Sequence, residues 1–92
     1  MAGPVVERVQ TGIRIEKRIL KVLKALAEHA DITLGDLVEG IVLHAFEGKT
    51  PFSPETLKVI AQLKAIYGLD LDAGASHTLT EREEGDDARS YD

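Results

Sequence analysis

The stretch Arg8-Val9-Gln10-Thr11-Gly12-Ile13-Arg14-Ile15 decides the fold expected from this sequence. Val9, Thr11, Ile13 and Ile15 alternate with Gln10, Gly12 and Arg14, the period of two that belongs to a strand with one covered face. No other segment of the chain reads this way. A lone strand cannot satisfy its own backbone N–H and C=O groups, so its ladder has to come from elsewhere, and a second copy of the chain is the simplest source. Two copies about a twofold axis pair antiparallel and make a two-stranded ribbon. Val9, Thr11, Ile13 and Ile15 then face inward onto helices, and Gln10, Gly12 and Arg14 face out.

Beyond the strand the period changes to that of a helix. Leu20, Leu23, Leu26, Ala27 and Ala30 fall on one stripe with Lys21, Lys24 and Glu28 opposite, which predicts a first helix from Lys17 to about Ala30. Thr33, with Asp36 three residues on, reads as the capping-box-like start of a second helix. Leu34, Leu37, Val38, Ile41, Val42, Ala45 and Phe46 give that helix a wide apolar face, and Gly48 ends it. Ser53-Pro54-Glu55 begins a third helix, with Ser as N-cap, Pro at the first helical position and an acid facing the helix dipole. Leu57, Ile60, Leu63 and Tyr67 form its apolar edge, and Gly68 stops it. The chain therefore divides into a flexible arm (1–7), a strand-helix-helix domain (8–48), a turn and third helix (49–69) and an acidic tail expected to be disordered (70–92).

At 92 residues the chain has room for one small core. With no cysteine to staple it, oligomerisation is the expected stabiliser. The absence of disulfides suits a reducing cytoplasm, and no apolar run has the length of a membrane span or the layout of a signal peptide. The net charge of -5 is unevenly placed. Residues 1–50 hold seven Lys/Arg against seven Asp/Glu, whereas residues 51–92 hold four against nine. Within 8–24 the count is six cations (Arg8, Arg14, Lys17, Arg18, Lys21, Lys24) to one acid, Glu16. A basic island in an acidic chain is the distribution of a polyanion binder.

The order strand, helix, helix, carried by Gln10-Thr11-Gly12-Ile13-Arg14-Ile15, by Leu20, Leu23 and Leu26, and by Ile32-Thr33-Leu34-Gly35-Asp36-Leu37-Val38, resembles the ribbon-helix-helix family of DNA-binding proteins. The resemblance covers about residues 8–48. It implies a mainly α fold, a ribbon-helix-helix homodimer, in which the outward residues of the paired strands enter the major groove. Base contacts then fall to Gln10 and Arg14, with Gly12 standing where the family usually carries a third reader. A phosphate contact falls to the backbone N–H groups around Thr33, Leu34 and Gly35. Glu16 stands where the family often has proline.

Side-chain chemistry supports the same assignment. The Arg fork fits guanine O6 and N7, and Gln pairs with adenine N6 and N7. A helix N-terminus offers free N–H donors to a phosphate, and Lys17 and Arg18 add sequence-independent contacts. Val9, Thr11, Ile13, Ile15, Leu37, Val38, Ile41, Val42 and Phe46 are the expected dimer interface. His29, His44 and His77 lack metal-ligand spacing, and no nucleophile-base arrangement or phosphate loop points to an enzyme, so neither metal nor cofactor is expected. The expected function is a transcriptional repressor that binds double-stranded DNA as a homodimer able to assemble further on its site. Two alternatives remain open: an antitoxin whose residues 50–92 bind a toxin, and a protein-interaction module that does not bind DNA.

Overall fold

Helix α1 spans Lys17–Ala30, α2 spans Leu34–Phe46 and α3 spans Pro54–Tyr67, followed by a 3-10 turn at Ala73–Ala75. The computed structural model describes residues 3–82. Each helix starts on a side chain that accepts orphan N–H groups of its first turn. Thr33 accepts from the Asp36 N–H, and Ser53 accepts from the Thr56 N–H with Pro54 just inside the helix. Glu16 caps α1 by accepting from the Arg18 and Ile19 N–H groups at 2.9 and 3.0 Å.

All three helices end in the same paired-bond motif. At the end of α1 the Asp31 N–H reaches the Glu28 carbonyl and the Ile32 N–H reaches Ala27; at α2 the Gly48 and Lys49 N–H groups reach Ala45 and His44; at α3 Gly68 and Leu69 reach Ala65 and Lys64. The motif needs a left-handed residue, supplied by Gly48 (φ 70°) and Gly68 (φ 67°) but by Asp31 (φ 60°) at the first corner. These corners set the chain directions that let α2 and α3 both pack on α1.

The buried core among the described residues is Val22, Leu26, Ala27 and Leu37. Leu23 and Ile41 flank it, and Phe52, Val59, Ile60 and Leu63 close it from the side of α3. Helix α3 thus shares one core with α1 and α2. With neighbours on two flanks, α1 buries Val22, outside the single stripe read from sequence, while Ala30 stays exposed. On α3 the packed face is Val59, Ile60 and Leu63, and Leu57 is half exposed.

The expected ribbon is absent. The described residues contain three α-helices and no strand, so the architecture is all-α and not ribbon-helix-helix. A strand exists only through ladder bonds, and among the described residues no segment pairs its backbone with residues 9–15. Val9 and Ile13, expected to face inward, are 79% and 77% exposed, and Thr11 and Ile15 are exposed as well. Of the expected tail, residues 70–82 turn back along α1 through side-chain contacts, and residues 83–92 lie outside the described residues, as do the first two residues of the arm.

Candidate nucleic-acid interface

The basic island surrounds the start of α1. Lys17, Lys21 and Lys24 follow one another at intervals of four and three, which puts them on one side of the helix over about 10 Å of its axis. Lys17 and Lys24 make no ion pair among the described residues. Lys21 lies with its Nζ 5.8 Å from the centre of the Tyr67 ring, a cation–π contact that ties α1 to α3.

The arginines are used differently. Arg8 forms a two-pronged pair with Glu39 of α2, Nε to Oε2 and Nη2 to Oε1 both at 2.8 Å, and lies 3.6 Å from Asp36. This clasp joins Arg8, on the irregular segment before α1, to the first turns of α2. The Arg8 hydrogen bonds hold the Glu39 carboxyl below its ordinary range, against a smaller opposing effect of desolvation. Arg14 pairs with Glu81 from the far end of the described chain. Arg18, expected on phosphate, donates instead to the Glu16 carboxylate at 3.0 Å, the Gly68 carbonyl at 3.0 Å and the Asp70 carboxylate at 2.9 Å. Its guanidinium joins the start of α1 to the end of α3. At Glu16 desolvation pushes the carboxyl up, but the Ile19 N–H, the Arg18 side chain and the Arg18 N–H together hold it below its ordinary range.

Of the expected base readers, Gln10, Gly12 and Arg14 are all exposed on the irregular segment. At the start of α2, Thr33 takes the Asp36 N–H at 3.0 Å, which leaves the Leu34 and Gly35 N–H groups without a partner among the described residues. The Gly35 position is open, with Thr33 Oγ1 the nearest atom to a built Cβ at 3.9 Å. Asp36 and Glu39 sit close to this point, and Arg8 offsets their charge there.

The expected dimer residues are divided by the fold. Leu37 is spent in the core of the single chain, and Val38 and Ile41 are half buried. Val42 at 37% and Phe46 at 81% stay exposed, joined by Leu43 at 64%, a residue outside the helical stripe read from sequence. Helix α2 is apolar on more sides than one chain covers.

Sequence reading also missed Glu16 as a cap, because glutamate is an uncommon N-cap, and missed the Arg8 clasp, since a contact 31 residues apart leaves no local signal. No helix among the described residues is long and apolar enough to cross a membrane, and no group of three or more His, Cys, Asp or Glu side chains there could hold a metal ion. Comparison with family models, with curated proteins and with solved structures found no match.

Proposed function

We propose that the chain is a cytoplasmic, homodimeric DNA-binding regulator of transcription that represses by occupying its site. The observation that carries this reading is the cation density of residues 8–24, six against one, in a chain whose net charge is -5. Charge of that sign, concentrated on one helix and the segment before it, is what counterion release from a duplex rewards. Lys17 and Lys24 contact phosphates, and the Leu34 and Gly35 N–H groups take another phosphate at the start of α2. Gln10 and Arg14, on the exposed segment tethered by Arg8, meet base edges.

The dimer rests on a separate argument. Val42, Leu43 and Phe46 on α2, with Val9 and Ile13 on the irregular segment before α1, expose more apolar surface than so small a chain keeps in water without a use for it. A second copy of α2 is the partner that covers it in every molecule.

The test is a titration of the full chain with duplexes selected from a random pool, at several salt concentrations. The logarithm of affinity should fall with the logarithm of salt by about 0.9 per phosphate neutralised. An affinity that does not change with salt, or no binding at low salt, would overturn the reading.

A further inference from the structure

Residues 70–82 return along the very side chains assigned to DNA. Beyond the end of α3, the Gly68 carbonyl and the Asp70 carboxylate both accept from Arg18. The chain then turns through Ala73–Ala75, where the Thr78 hydroxyl donates to the Ala75 carbonyl at 2.7 Å, and comes back to place Glu81 on Arg14. An open groove lies between this segment and the start of α1, with Lys17 and Lys21 on its other wall.

Two features make this course informative. Carboxylates stand on Arg14 and Arg18 where a nucleic acid would place its own acceptor atoms, and residues 70–82 carry Asp70, Asp72 and Glu81 against Arg82 alone. The segment is also weakly held, because none of its residues is buried and Leu79 is 51% exposed. Exposed ion pairs of this kind shift an equilibrium by no more than about fivefold each.

We propose that residues 70–82 are an autoinhibitory strap, a built-in polyanion mimic that competes with DNA for Arg14 and Arg18. This rests on the DNA-binding reading above and adds its regulation. The strap raises the affinity a site must offer before the protein engages it. Weak non-specific encounters are then rejected, while a site that also satisfies Gln10 and Arg14 displaces the strap.

The experiment compares two full-length double variants with the parent on one selected duplex. Asp70→Asn with Glu81→Gln removes the strap's carboxylates from Arg18 and Arg14. Glu47→Gln with Glu55→Gln removes the same charge far from the groove. Circular dichroism verifies the helices in each. The first variant should bind about two- to twenty-five-fold more tightly than the second, the product of two weakened pairs. Equal affinities of the two variants, with the parent still binding in a salt-dependent way, would overturn the strap and leave the DNA reading standing. No duplex binding by the first variant would overturn both.

Discussion

Thr33 satisfies one orphan N–H of α2 and leaves two for a ligand, so its loss should be felt twice. Thr33→Ala should cost about 0.5–2 kcal/mol of stability in a denaturant titration and weaken duplex binding in parallel. Gly35→Glu separates the two roles, because the position is open to a side chain but a carboxylate there repels a phosphate. It should leave the melting temperature nearly unchanged and reduce DNA affinity severely; unchanged affinity in a folded protein would remove the phosphate role. Asp31 shows a conformational cost in the opposite sense. It holds a left-handed φ of 60° and places a negative charge at the end of α1. Asp31→Gly should therefore stabilise the protein by about 0.5–1 kcal/mol, seen as a rise of a few degrees in Tm. Glu16 and Glu39 both have folded-state pKa values below their ordinary 4.5. A depressed carboxyl contributes its full stability above 4.5 and loses it as pH falls through the folded value, so acidification below about pH 4.5 should destabilise the fold. Glu16→Gln should show a shallower acid transition, measured as denaturation midpoint against pH.

At the scale of elements, α2 leaves Val42, Leu43 and Phe46 exposed, and this outer face should decide the assembly state. Phe46 is 81% exposed in the single chain, so Phe46→Asp should leave helix content intact while sedimentation equilibrium shows a shift from dimer to monomer. A parent protein that sediments as a monomer at micromolar concentration would contradict the dimer. The helices themselves were legible in the sequence because their signals are local. Thr33, Ser53, Gly48 and Gly68 act within a few residues of themselves, and each stands at the helix end read from its chemistry. Residues 9–15 have a strand's alternation too, but alternation reports only which side chains could share a face, whereas a strand needs a ladder partner. None is present among the described residues, so the pattern yielded an irregular segment whose Arg8 and Arg14 pair with Glu39 and Glu81. Val22 was missed for a related reason, since a helix with neighbours on two flanks buries more than one stripe.

At the scale of the molecule, residues 14–18 meet residues 68–81. Arg14 and Glu81 are 67 residues apart and Arg18 and Asp70 are 52 apart, so the charge segregation evident in the composition is partly neutralised by the fold. Composition disclosed the basic island but not the acids laid over it, because long-range pairing has no sequence period. In the proposed complex the N-terminal region reads DNA, with Arg14 on a base and α1 lysines on phosphates. Binding isotherms of the parent, Arg14→Ala and Lys24→Ala for one preferred and one scrambled duplex, at two salt concentrations, test it most directly. Losing a bidentate base contact costs roughly 1–3 kcal/mol at the matched pair, whereas losing a phosphate contact weakens all sequences alike and reduces the salt slope by about one. Arg14→Ala should therefore erase the preference between the duplexes, and Lys24→Ala should keep it while flattening the salt dependence. If Arg14→Ala weakens both duplexes by the same factor, Arg14 does not read bases and the account of this interface is contradicted.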